Sequence, residues 1–240
     1  MNKKELTKLL SFMSTFDGGL YRTKNDKGYL LNAKFIMNMR KENLDYVQWV
    51  QEVISNITTS KITDRLDYNT DDCVRQEQIR LQSKCHPELT KLHDRIYIDG
   101  RKVLDLHMLK LLDAEALAII FMADGGTNLD LRNKKPHCKI TLNTKGFSEA
   151  DNLALSKAIY DKLGIRSTVH KHNKYFYLYI KTADIKLFVS TVLPYIKPSF
   201  LYKFERIAPA LNMLDDEIVW TEWKHSEVDR DNQPHQEIDE

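Results

Sequence analysis

Of the 240 residues only three are cysteine, Cys73, Cys85 and Cys138. The count is odd and the spacing unpaired, which excludes a disulfide framework and fits a reducing compartment. Cys73, Cys85, His86 and His93 lack the short, repeated ligand spacing of a zinc site. No apolar run reaches the roughly 18 residues needed to span a bilayer. The N-terminus, Met1 to Glu5, is basic, but Asp17 arrives too soon and no cleavage site of small residues follows. The expectation is therefore no signal peptide, no membrane partner, and a location in the cytoplasm or an organelle matrix. A phosphate-binding glycine loop of the nucleotide-binding type is missing as well.

What is present is charge, unevenly placed. The net charge is +2, but residues 215–240 hold ten acids against two Lys/Arg, a net of −8, which leaves about +10 on the remainder. A basic body is the electrostatic footprint of a nucleic-acid binder. The tail from about Leu211 has no steady period and is expected to be mobile, with Trp220 and Trp223 as candidates to pin its first part.

Periodicity predicts a helix over 3–17, a hairpin over 20–38 turning at Asn25–Gly28 and returning from Tyr29 to Ile36, and a helix over 43–57. Strands follow at 58–68 and 74–82, then a short helix at 89–97. After a connector at 99–112, a helix is predicted over 113–124, a strand around 137–142, a helix over 148–163, paired strands over 166–181 turning at His172-Asn173, and a helix over 182–193. The order helix, two strands, helix, two strands, helix thus restarts after 107 residues, counted from Asp17 to Asp124. The reading is a duplicated α+β unit: an N-terminal half 1–98, the connector 99–112, a C-terminal half 113–210 and an acidic tail 211–240.

Asp17-Gly18-Gly19 and Asp124-Gly125-Gly126 each close an apolar helical run, and the glycines read as helix terminators. A carboxylate at a helix C-terminus faces the negative end of the helix dipole. An acid before two glycines often does no more than start a turn; two in matched settings point to a shared positive partner. If the two helices pack side by side, Asp17 and Asp124 come together and can share Mg²⁺, an oxygen-seeking ion, with helix-end carbonyls adding ligands. Such a site activates water and stabilises a leaving oxygen in phosphodiester hydrolysis. Close crossing needs small residues. Ala116, Ala118 and Ala123 supply them on one helix and Ser11, Ser14 and Thr15 on the other, with Phe12 and Phe16 less easily accommodated.

The two segments resemble the paired motifs of the LAGLIDADG homing endonucleases, in particular the single-chain members. The likeness is carried by Phe121–Gly126, Thr141–Thr144, Pro194 to Pro198 and Leu201–Lys203 in the second half. In the first half it is carried by Phe16–Gly18 followed by Tyr21 and Arg22. It covers roughly residues 5–207, and Phe16 departs from it, standing where the family usually has a small residue. The resemblance implies a monomer with two pseudo-symmetric αββαββα halves, paired motif helices at their interface and curved antiparallel sheets in the DNA major groove. It implies that Asp17 and Asp124 hold the catalytic metals and that Lys102 and Lys203 polarise or order the attacking water, with Arg101 a competitor for the place of Lys102. It further implies cutting of one phosphodiester per strand across the minor groove, short 3′ overhangs, and a role in intron, intein or free-standing gene mobility.

Every second side chain of such a strand faces DNA, and Arg, Lys, Asn and Gln read base edges there. The candidates are Arg22, Lys24, Asn32 and Lys34 in the first hairpin and Gln76, Gln78, Arg80 and Gln82 in the fourth strand. The second half offers Arg132, Lys134, Lys139, Thr141 and Asn143, then Arg166, His170, His172 and Lys174. Tyr175, Tyr177 and Tyr179 are read as packing on a helix. The other classes are an RNA-binding intron maturase, a non-cleaving DNA-binding regulator on the same scaffold, and a structural protein with a basic face.

Overall fold

Helix α1 (Lys3–Phe16) presents Leu9, Leu10, Phe12 and Met13 to the interior, and Asn2 caps its start by accepting from the Glu5 amide at 2.9 Å. The computed structural model describes residues 1–68, 75–132, 135–205, 207, 208 and 211. From α1 the chain runs through β1 (Gly19–Tyr21), β2 (Lys34–Arg40), α2 (Leu44–Ser55), β3 (Ser60–Tyr68), β4 (Arg75–Ser83) and α3 (Pro87–Ile96). A bridge of β5 (Tyr97–Ile98), β6 (Arg101–Lys102) and α4 (Leu106–Lys110) leads to α5 (Ala114–Asp124). The order then repeats with β7 (Gly125–Arg132), β8 (Lys135–Leu142), α6 (Glu149–Leu163), β9 (Ser167–His172), β10 (Tyr175–Ile180) and α7 (Ile185–Val192), before a short α8 (Tyr202–Glu205). Both halves read αββαββα. Their antiparallel sheets share one strand order, β1-β2-β4-β3 and β7-β8-β10-β9. The expected α+β duplication is the observed architecture.

Several expectations change in detail. The first return strand begins at Lys34, not Tyr29; before it the chain makes a lone bridge between Lys24 and Leu30 and a turn at Gly28, φ +80°. Strand β7 had no sequence signal of its own, because it opens with two glycines, which are poor strand formers. The connector 99–112 is structured, since β6 pairs with β5 and α4 follows, its N-cap Asp105 accepting from the His107 amide. The tail beyond Leu211, with Trp220 and Trp223, lies outside the described residues, as does Lys134.

The glycines after the two acids are not left-handed helix caps: the positive-φ glycines are Gly28, Gly100 and Gly164. Space explains two of them. A Cβ on Gly18 would lie 2.3 Å from the Phe35 ring, and one on Gly125 would lie 2.3 Å from the Phe121 carbonyl oxygen. Each motif glycine lets a helix end turn abruptly into a strand beneath it.

Helices α1 and α5 pack side by side at the centre. Helix α5 is apolar all round, which requires burial on all sides, and Ala116 through Met122 are all buried. Ser11, Ser14 and Thr15 of α1 are buried as well, together with Ala116 and Ala118, so the small residues do permit the close crossing. Phe16 leaves the crossing and packs on Phe147 of the second half at 5.6 Å between ring centroids. Lys8 of α1 binds Asp113 at 2.6 Å and Glu115 at 2.8 Å at the start of α5. With the lysine side chain 12% exposed, this ion pair is better shielded than a surface one.

Residue pairing fixes which sheet faces are polar. Phe35, Met37, Ile79 and Leu81 are buried under the first sheet. The alternate positions, Asn38 opposite Arg80 and Arg40 opposite Gln78, form the other face. In the second sheet Ile140, Leu142, Leu178 and Ile180 are buried. Tyr175, Tyr177 and Tyr179 therefore do not pack on the helices. They alternate with the buried aliphatics and lie opposite His172, His170 and Thr168 on the polar face.

Candidate active site at the paired helix ends

The C-terminal ends of α1 and α5 bring Asp17 and Asp124 within electrostatic range of each other and of both predicted lysines. Residues 107 positions apart thus meet at one site. Lys102, delivered by β6, donates from Nζ to the carbonyl oxygens of Thr15 at 3.0 Å and Gly18 at 2.6 Å. Lys203, delivered by α8, donates to those of Phe121 at 2.9 Å, Met122 at 2.6 Å and Gly125 at 2.9 Å. Thr15 and Gly18 stand to Asp17 as Met122 and Gly125 stand to Asp124, so the two caps share these positions, and Phe121 is an additional acceptor for Lys203.

The helix-end carbonyls Thr15, Gly18, Phe121, Met122 and Gly125 each accept from an ammonium group, and each keeps a second lone pair. An ammonium has three donors, and Lys203 spends all three on carbonyls. It also acts on the carboxylates by charge, as a cation should at a helix C-terminus.

The electrostatics follow from burial. Burial raises the Asp17 carboxyl to about 7; Asp124 adds to the rise, and a hydrogen bond from the Tyr46 hydroxyl, with Lys203 and Lys102, opposes it. Burial raises Asp124 to about 6 against the pull of Lys203 and Lys102. The same burial lowers Lys203 to about 8 and lowers Lys102. Two acids held above the usual range and two lysines below it mark a compressed charge cluster, the pattern of functional sites.

Tyr46 had not been singled out in the sequence. It lies on the apolar stripe of α2, fully buried, and its phenolic O–H donates to Asp17 Oδ2. A buried tyrosine usually has a partner for its hydroxyl, which was the signal available. Its ring packs edge-on against Phe200 of the second half at 5.3 Å.

A cleft of about 820 Å³ opens from Asp17 and is lined by Asn38, Arg40, Gln78, Ser199 and Lys203 among others. The acid therefore shares one cavity with the polar face of the first sheet. Arg80 and Gln82 lie on that face with Gln78, and Arg80 Nε donates to Asn38 Oδ1 at 2.8 Å. Lys34 joins them from β2, opposite Tyr21. Gln76 pairs with Asp67 in the same register, its side chain outside the described set. In the second sheet Lys139 and Thr141 share the polar face, Thr141 opposite Tyr179; His170 and His172 lie across from Tyr177 and Tyr175. Asn143 is exposed just past β8, its amide bonded to the Asp124 carbonyl at 2.8 Å. Arg132 ends β7, its side chain outside the described set.

Five candidates are placed elsewhere. Arg22 lies past the end of β1 and reaches Leu31 O at 3.2 Å and Asp94 of α3 at 3.4 Å. Asn32 accepts from Thr90 of α3 at 3.0 Å. Lys24 sits in the loop and Lys174 in the tight turn after Asn173, φ +55°. Arg166 clamps Asp184 with two side-chain bonds, of 2.8 and 2.6 Å, which holds the Asp184 carboxyl down at about 2. Strand alternation does not extend into these loops, so the faces of the strands do not set where these side chains lie.

The model of the LAGLIDADG DNA endonuclease family matches residues 17–188. The chain belongs to that family. It is 28% identical over 200 residues to a protein RecA of Mycolicibacterium flavescens, across 78% of this chain and 43% of that protein, so it spans less than half the length of that relative. It is 24% identical over 207 residues to the cytochrome b mRNA maturase bI2 of Debaryomyces hansenii, across 83% of this chain and 73% of that protein. Among solved structures, the homing endonuclease I-WcaI bound to its DNA recognition sequence superposes with a TM-score of 0.68 at 21% identity, covering 84% of this chain and 86% of that one. That likeness is one of fold. Among the described residues no helix is long and apolar enough to cross a membrane.

Proposed function

We propose that the protein is a site-specific double-strand DNA endonuclease that acts as a monomer on a long duplex site, cutting one phosphodiester in each strand across the minor groove with Mg²⁺. The observation that carries this reading is the convergence of Asp17 and Asp124 beside Lys102 and Lys203, with Asp17 and Lys203 opening on a cleft that reaches Asn38, Arg40 and Gln78 of the first sheet. Among the described residues no group of three or more His, Cys, Asp or Glu forms a metal cluster. Two carboxylates suit Mg²⁺, which keeps several waters and completes its shell from substrate phosphates. Asp17 and Asp124 would hold it, and when bound it supplies an activated water and charge for the leaving oxygen. The chain's own part is electrostatic and positional. The lysines fix both helix ends and offset the paired carboxylates, while the sheet faces set the register of the duplex through major-groove contacts.

Asp17→Asn and Asp124→Asn each test this on Mg²⁺ with duplex DNA spanning the uninterrupted insertion point of the gene. Each variant should lose double-strand cutting and keep DNA binding in a mobility-shift assay. Cutting retained in both variants refutes the proposal. The similarity to an mRNA maturase across most of the chain favours one second reading, intron RNA binding. Tight binding of intron RNA by a protein that does not cut the duplex would select it.

A further inference from the structure

The two acids differ in the side-chain partner that their own half supplies. Asp45, early in α2, accepts from the Ser199 amide of the other half at 3.1 Å; Asp151, early in α6, accepts from the Leu104 amide across the interface at 3.4 Å. Each aspartate sits in the first turn of its helix and ties that turn to another part of the chain, and beside each lies a buried polar residue, Tyr46 in α2 and Asn152 in α6. They do different things. Tyr46 sends its hydroxyl to Asp17. Asn152, also fully buried, turns away from Asp124: its amide donates to Ser148 O at 2.9 Å and its Oδ1 accepts from Thr144 Oγ1, so it staples the 144–148 loop. Among the described residues Asp124 has no side-chain hydrogen bond. One acid of the pair is thus oriented by a buried donor and the other is held by charge alone.

We propose that Tyr46 is a positioning residue that fixes the Asp17 carboxylate, occupying Oδ2 and leaving Oδ1 free for a divalent cation, and that the two acids are unequal for this reason. The idea rests on the endonuclease reading above and adds an asymmetry to it. A group hydrogen-bonded to a ligating carboxylate sets its orientation, and its loss typically costs about 10- to 100-fold in metal affinity or activity. The geometry favours a selective effect. The two scissile bonds are related by the pseudo-twofold axis, and Tyr46 touches one acid only, so its loss acts unequally on the two strands.

Tyr46→Phe removes the hydroxyl and keeps the ring on Phe200. Two measurements decide the matter: Mn²⁺ titrated into the protein without DNA, followed by electron paramagnetic resonance, and strand-resolved cutting of an end-labelled duplex in Mg²⁺. The expected result is Mn²⁺ affinity weakened about 10-fold or more, and the ratio of the two strand-cutting rates changed by a similar factor, so that nicked duplex accumulates. Unchanged Mn²⁺ affinity, or equal slowing of both strands, overturns the role of Tyr46 while leaving the endonuclease standing. A wild-type protein that neither binds Mn²⁺ nor cuts either strand overturns the endonuclease reading itself.

Discussion

Replacing Asp17 by Asn should make the metal-free protein more stable at alkaline pH while destroying its proposed activity. The Asp17 carboxyl stands at about 7 in the folded chain against 3.8 for an unperturbed group, chiefly because burial penalises its charged form. A raised acid binds its proton more tightly folded than unfolded, so stability is full below about pH 4 and drains as pH rises toward 7. About three units at 1.36 kcal/mol each amount to roughly 4 kcal/mol lost by pH 8. Asparagine carries no charge to bury and still offers an oxygen to the Tyr46 hydroxyl. For a chain of this size 4 kcal/mol corresponds to a melting-temperature difference on the order of 10 °C. The assay is thermal unfolding by circular dichroism in EDTA at pH 5 and pH 8. It stops at pH 8 because Lys203, lowered to about 8, adds an opposite contribution above that point. Wild type should melt lower at pH 8 than at pH 5, the variant should lose much of that dependence, and Mg²⁺ should restore wild type selectively. A variant no more stable than wild type at pH 8, beside a flat wild-type profile, would refute the burial argument.

Lys203→Met should strip three carbonyls of their donor and leave both carboxylates with less compensation; the expected cost is roughly 2–4 kcal/mol in chemical denaturation, with cutting reduced. A loss under about 0.5 kcal/mol would show the cap to be dispensable. Arg80→Ala should relax base preference at the few positions it faces, by about 1–3 kcal/mol of discrimination, while leaving the opposite half-site unchanged; selection of bound sequences from a randomised duplex pool reads this directly.

Much of this was legible in the chain itself, because helix and strand periods are local. Helix α1 was expected over 3–17 and runs Lys3–Phe16; α5 was expected over 113–124 and runs Ala114–Asp124. Alternation placed Gln78, Arg80 and Gln82 on one face, as the β2–β4 register bears out. It could not orient Tyr175 to Ile180, where both faces are apolar in composition. Leu178 and Ile180 went inward because α6 and α7 cover that side, and the tyrosines were left on the face with His170. Strand β7 was missed because its glycines signal interruption, whereas their task is to let a strand start directly beneath a helix end.

The sequence by itself determined two repeated units, each carrying an acid at the end of an apolar helix, while Lys102 and Lys203 came only from the resemblance to the family. Tertiary structure alone decided what those groups do. Lys102 reaches carbonyls 84 and 87 residues away, and Lys203 reaches others 78 to 82 away. No local pattern encodes such contacts. They exist because packing α1 against α5 buries two like charges together, and low-dielectric burial makes every neighbouring donor and cation count. For the same reason the inequality of the two acids, with Tyr46 on one and nothing matching it on the other, became visible only once the halves were folded against each other.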